Sequence, residues 1–136
     1  MTVKAIQRVV ENYFQSSRIA LRNKYLYEWE SDLLLVEWKG KTREFEIKLT
    51  KSDYHADFEK TDKHKVLSNP WDPEICPNEF WYVVPHYMDD IVLPEYAGLM
   101  VVQEKGLSKW VKVIKKAPPI HNERFDRWKE LCFKLQ

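Results

Sequence analysis

Val3, Ile6, Val10, Tyr13 and Phe14 recur at helical spacing, so the chain is predicted to begin with an amphipathic helix ending near Ser16 or Ser17, with Glu11 on its apolar margin. The pattern then changes period. "DLLLVEW" and "TREFEIKL" flank Lys39-Gly40-Lys41, which predicts an antiparallel hairpin with glycine at the turn. Ser52 or Asp53 can cap a helix from about Tyr54 to Leu67, with acids in its first turn that suit the helix dipole. Pro70, Pro73 and Pro77 end that helix and stiffen the loop "SNPWDPEICPN". The apolar runs "EFWYVVP", "AGLMVVQ" and "KWVKVIKK" read as three further strands, with Gly98 placed where another backbone approaches closely. After Pro118-Pro119, Asn122 can cap a last helix whose stripe is Phe125, Trp128, Leu131, Cys132 and Leu135. The predicted order is αββαβββα, an α/β domain spanning 1–136 with a central mixed β-sheet flanked by helices.

Length and composition narrow the class. A chain of 136 residues can bury about two-thirds of its unfolded surface without staples. Cys76 and Cys132 stand far apart, with no CxxC spacing and no secretory signal before them, which points to a reduced, cytoplasmic setting. No apolar run approaches the ~20 residues of a membrane span, so a soluble protein with no membrane partner is expected. The net charge of +1 hides an asymmetry: nine basic residues lie between Lys105 and Lys134, Lys112 and Lys115 among them, while acids outnumber bases from Glu28 to Asp62. Such a distribution can face a polyanion, and a solvated lysine face is the plainer alternative.

The octet "REFEIKLT" sharpens the question. Strand side chains alternate faces, so Glu44, Glu46 and Lys48 share one side while Phe45, Ile47 and Leu49 take the other. Asp32, at the start of the partner strand, can lie across the hairpin from Glu46 and Lys48. Two carboxylates and an ammonium suit a hard divalent ion, which takes oxygen ligands and is commonly held by one or two carboxylates plus substrate phosphate. A fixed lysine beside it can orient a water and stabilise the transition state of phosphodiester hydrolysis.

These residues resemble the PD-(D/E)xK nucleases, in which an acid, a variable spacer and E-x-K on the next strand form the site; here they read Asp32, then Glu46-Ile47-Lys48, with Ser31 in place of the usual proline. The continuation "EIKLTKSDYHADFEKTDKHK", followed by "FWYVVP" and "PEYAGLMVV", is similar to the MmcB-like and phage-encoded branch over roughly residues 28 to 120. There E-x-K leads into a hydroxyl residue, a D-aromatic pair, a second Asp and a lysine-bearing helix. The resemblance implies a restriction-endonuclease-like core and a Mg²⁺- or Mn²⁺-dependent nuclease, acting on DNA before RNA in repair, recombination or phage replication within a bacterial or phage-infected cell. It also leaves room for a homo-oligomer or a replication or repair partner. Residue by residue it makes Asp32, Glu46 and the Ile47 carbonyl metal ligands and Lys48 the catalytic lysine, with Glu11 matching a further ligand by position. Lys60, Lys63 and His64 fall where substrate phosphate is met, Lys60 and His64 sharing one helix face.

Each feature has a duller reading. Alternating charge on "REFEIKLT" also describes the solvent face of an ordinary antiparallel strand. Trp71 and the aromatics of "WYVV" could stack on bases, but core packing accounts for strand aromatics more often. His55, His86 and His121 lack partners at zinc spacing. A non-catalytic nucleic-acid-binding or protein-interaction module that keeps the fold is the alternative to an enzyme.

Overall fold

The computed structural model describes residues 1–15 and 18–135. In chain order the elements are α1 (Val3–Tyr13), β1 (Arg18–Tyr25), β2 (Glu30–Glu37), β3 (Thr42–Ile47), α2 (Lys51–Asp57), α3 (Thr61–Ser68), β4 (Glu79–Pro85), β5 (Ala97–Lys105), β6 (Ser108–Lys115) and α4 (Trp128–Lys134). The six strands form one mixed sheet in sequential order. β1, β2 and β3 pair antiparallel, β4 joins β3 and β5 in parallel, and β6 closes antiparallel on β5. Covered on both faces, the central strand β4 is buried at every position, as its unbroken apolar sequence requires.

One sheet face packs on α1, where Ile6 and Val10 meet Leu33, Leu35, Phe45, Ile47, Trp81 and Val83. The other face carries two apolar clusters. Tyr54, Leu67, Phe80, Tyr82, Val84 and Leu99 gather beneath α2 and α3. Leu21, Leu34, Val36 and Leu131 gather beneath α4. Alternation along β3 sends Phe45 and Ile47 towards α1 and turns Glu44 and Glu46 to the second face, between those clusters. Both acids are buried, which overturns the reading of this face as a solvent-washed strand surface.

Several boundaries differ from expectation. Strand β1 was not expected at all, because its apolar alternation stops after Ile19 and Leu21 and gives way to Arg22-Asn23-Lys24, with Asn23 at φ 56°. Asparagine tolerates that left-handed conformation better than most residues. The helix expected from Tyr54 to Leu67 is two helices, and its cap is Thr50 rather than Ser52 or Asp53, Thr50 Oγ1 accepting from the Asp53 N–H at 3.1 Å. Three tight i→i−3 bonds, from Phe58, Glu59 and Lys60, close the first helix and let the second restart at a new angle. Asn122 does not cap the last helix. Residues around it are tied elsewhere: Asn78 Nδ2 donates to the His121 and Glu123 carbonyls, and the Phe125 N–H to Gly40 O, so α4 starts only at Trp128. The first helix ends at Tyr13, and Ser16 and Ser17 lie outside the described residues.

The hairpin glycine is as expected. Gly40 has φ +92°, and a Cβ there would stand 2.2 Å from Arg124 Cγ, so the turn needs glycine for conformation and for room. Gly98 serves close approach, since a Cβ would meet the Ala117 backbone N and the Trp81 ring at 2.6 Å each. Among the described residues no helix is long and apolar enough to cross a membrane.

Candidate active site

The β2–β3 register ends with Leu33 opposite Phe45, and Asp32 and Glu46 are the next residue of each strand. Asp32 is anchored at both ends. Its Oδ2 accepts the Ile47 N–H at 2.8 Å, and its backbone carbonyl accepts Gln7 Nε2 from α1 at 2.8 Å. Burial, and after it the charge of Glu46, pushes the Asp32 carboxyl up to about 6, against the pull of the Ile47 N–H, Lys48 and Lys63.

Glu46 is surrounded by ammonium groups. Its Oε1 lies 3.2 Å from Lys48 Nζ and 4.0 Å from Lys60 Nζ. Its Oε2 lies 3.4 Å from Lys63 Nζ but accepts no well-formed hydrogen bond, a rare state for so buried an oxygen. Lys48 stays next to its strand because its N–H continues the parallel ladder to Val83 O at 3.1 Å.

Asp57, the last residue of α2, is the hub. Its side chain is wholly buried and takes the Tyr82 hydroxyl at 2.7 Å and His64 Nε2 at 2.9 Å on Oδ2. Lys63 and Lys60 stand 3.5 Å from its Oδ1, and Lys48 3.6 Å. Burial works against the charge, but His64, Lys63, Tyr82 and Lys48 together hold this carboxyl well below the usual carboxylate range. Burial would likewise depress Lys63, yet Glu44, Glu46 and Asp57 outweigh it and keep the ammonium above its ordinary value. The break between α2 and α3 makes this possible, because Asp57 at the end of one helix and Lys63 and His64 on the next all turn towards the sheet.

The structure therefore brings together Asp32, Glu46, Lys48, Lys60 and Lys63, all named from the sequence. Lys60 is the exposed member, 55% accessible, and the one placed to meet a solution ligand. His64 is in the cluster but turned inward, Nε2 on Asp57 and Nδ1 against the Tyr96 hydroxyl, so it supports the site from behind instead of facing a phosphate. Glu11 is not gathered in: both carboxylate oxygens are bound by Arg22 of β1, at 2.6 and 3.0 Å. Lys112 and Lys115 lie on β6, three strands from β3, or roughly 14 Å across the sheet. Lys112 is exposed there, and Lys115 Nζ is held by the Pro94 and Glu95 carbonyls. Trp81 and Tyr82 are core residues, while Trp71 is 77% exposed.

Sequence reasoning gave no role to Asp57 or Glu44, and to Tyr82 only base stacking or core packing. Asp57 is the second Asp of the quoted run, and only the helix break gives it a partner set. Glu44 is the other unforeseen element. Fully buried, it receives the Trp29 indole N–H on Oε1 and Oε2 at 3.0 and 2.8 Å and the Ser31 hydroxyl at 2.9 Å. Burial pushes its carboxyl up to about 7.

Among the described residues no three His, Cys, Asp or Glu groups close into a metal cage by themselves. A hard divalent ion held by two carboxylates, a backbone carbonyl and waters does not need one. The oxygen donors Asp32 and Glu46, the electrostatic cost of keeping them together and a Glu46 Oε2 that accepts no hydrogen bond fit such an ion.

No protein-family model matches the chain, and no curated protein matches it. Its fold is similar to that of a solved protein of unknown function from Silicibacter pomeroyi, with a TM-score of 0.63 at 15% identity, covering 95% of this chain and 77% of that one. At that identity the likeness concerns the fold alone.

Proposed function

We propose that this chain is a Mg²⁺- or Mn²⁺-dependent nuclease with a restriction-endonuclease-like core, of the PD-(D/E)xK kind and its MmcB-like and phage-encoded branch, hydrolysing phosphodiester bonds in DNA before RNA. The observation that carries this reading is the convergence of Asp32, Glu46 and Lys48 in one buried, charge-rich corner of the sheet. Asp32, Glu46 and the Ile47 carbonyl are the residues that would hold the ion. When bound, such an ion lowers the pKa of a coordinated water and neutralises charge on a phosphate oxygen. Lys48 supplies the protein's own contribution, an ammonium fixed by Glu46 and Asp57 that orients the attacking water and meets the charge developing on phosphorus-bound oxygen. Lys60, exposed at the mouth, draws the phosphate in.

The test is cleavage of labelled single- and double-stranded DNA in Mg²⁺, Mn²⁺ or EDTA. Metal should support cleavage and EDTA abolish it. Asp32→Ala, Glu46→Ala and Lys48→Ala should each remove most activity with circular dichroism unchanged. Equal cleavage by the wild type and all three variants refutes the proposal.

One observation favours a second reading, a non-catalytic nucleic-acid-binding or protein-interaction module. Lys48, Lys60 and Lys63 are themselves counter-charges to Glu46 and Asp57. Calorimetry separates the two: the enzyme takes up Mg²⁺ with Asp32-dependent heat, and the module does not.

A further inference from the structure

Glu44 has no part in the hydrolytic chemistry above, yet it is among the costliest residues in the fold. A carboxylate with no exposed surface, bound by an indole N–H and a hydroxyl, must give a return to offset its burial. What it holds is Trp29. Both carboxylate oxygens fix the indole edge, the Tyr27 ring packs against it with centroids 5.6 Å apart, and the partly buried ring leans on both apolar clusters of this face. Trp29 is thereby locked as the wall of a pocket of about 360 Å³, whose other sides include Glu28, Glu59, Lys60, Asp62 and Lys63.

The pocket adjoins the carboxylates, since Lys60 and Lys63 line it and stand 4.0 and 3.4 Å from Glu46. Its volume is at the lower end for ligand pockets. Three acids against two lysines make it unsuited to a phosphate, whereas an uncharged planar ring fits beside a rigid indole, its phosphate left to Lys60. We infer that this pocket is a nucleobase subsite, in which Trp29 stacks on one unpaired base next to the phosphate bound at Lys60. This rests on the nuclease reading and adds to it a substrate class: a strand with an accessible, unstacked base, single-stranded or frayed, in preference to closed duplex.

An abasic scan tests it. Short labelled single-stranded oligodeoxynucleotides of one sequence, each with one abasic residue at a different position, are bound to the full chain in EDTA and followed by anisotropy. In the wild type one position should weaken binding about ten-fold, the scale of a single base–aromatic stack. Trp29→Ala should bind all members alike, and Trp29→Phe should restore the preference, which a general loss of folding cannot do. A flat scan in the wild type, a scan that survives unchanged in Trp29→Ala, or no binding of any strand overturns the inference. The two proposals fail separately: no metal-dependent cleavage with a positive scan defeats the nuclease and keeps the base subsite, while cleavage with a flat scan does the reverse.

Discussion

Glu44→Gln offers a quantitative check on the buried acids. Glu44 is fully buried, and its carboxyl is raised from 4.5 to about 7, first by burial and then by the charge of Glu46, against the opposing effects of Lys63, Ser31 and Trp29. An acid with a raised folded pKa binds its proton more tightly in the native state than in the unfolded one. The native state therefore gains stability as pH falls from about 7 towards the unfolded value, and it loses stability as pH climbs through that range. The full cost of ionisation is about 3 kcal/mol, at about 1.4 kcal/mol per tenfold change in proton affinity. Between about pH 5 and pH 8 the swing is about 2.5 kcal/mol.

Glutamine does not titrate. Its Oε1 can still accept from Trp29 or Ser31, while its amide adds a donor in need of a partner, a penalty of about 1 kcal/mol that is the same at every pH. Subtracting the wild-type melting temperature from that of Glu44→Gln cancels the titration of the other groups and leaves that of Glu44. For a chain of this size, about 3 °C per kcal/mol gives a difference that rises by about 7 °C from about pH 5 to pH 8. Thermal denaturation of both proteins in EDTA, followed by circular dichroism, measures it. A difference that stays constant with pH, or falls as pH rises, refutes the reasoning.

The two remaining tests concern Asp32 and Asp57. Burial and Glu46 raise the Asp32 carboxyl to about 6, so Asp32→Asn, which keeps an acceptor for the Ile47 N–H, should raise the melting temperature of the EDTA-treated protein at neutral pH, and Mg²⁺ should stabilise the wild type but not the variant; a lower melting point with no Mg²⁺ effect on either protein counts against convergence. Asp57→Asn strips the counter-charge shared by Lys48, Lys60 and Lys63 and should cost about 3 kcal/mol in urea denaturation at neutral pH. Because the folded carboxyl lies below its ordinary value, the wild type should lose this advantage as pH falls below about 4, and an acid limb of equal steepness in both proteins would contradict the assignment.

The parts of the fold visible in the sequence are those where local pattern and tertiary role agree. β4 and β5 read as continuous apolar runs because both their faces are covered, and the Gly40 turn was visible because only glycine meets its backbone demand. β1 was hidden by its edge position, where Arg22 can pair with Glu11 of α1 and Lys24 stays in solvent without penalty. The late start of α4 was hidden because Asn78 and Gly40, distant in sequence, capture the backbone that Asn122 was expected to wind into a helix. At the site, Asp32, Glu46 and Lys48 could be placed because strand alternation and hairpin register are short-range rules. Asp57 and the inward turn of His64 depend on a helix break with no proline or glycine to announce it.

A sheet face carrying Glu44 and Glu46 is expensive for a small domain, and stability alone does not explain it. Well-packed apolar residues in place of buried ion pairs are often neutral or stabilising. The cluster is also graded. Asp57 and Lys63 are sealed in, His64 and Lys48 are barely accessible, and Lys60 reaches solvent, so the interior members hold the outer ones in place. Glu44 extends the same logic sideways to Trp29. Glu44→Gln should therefore stabilise the protein above neutral pH while loosening the indole that lines the pocket, the opposition expected where buried charge serves a site at the expense of the fold.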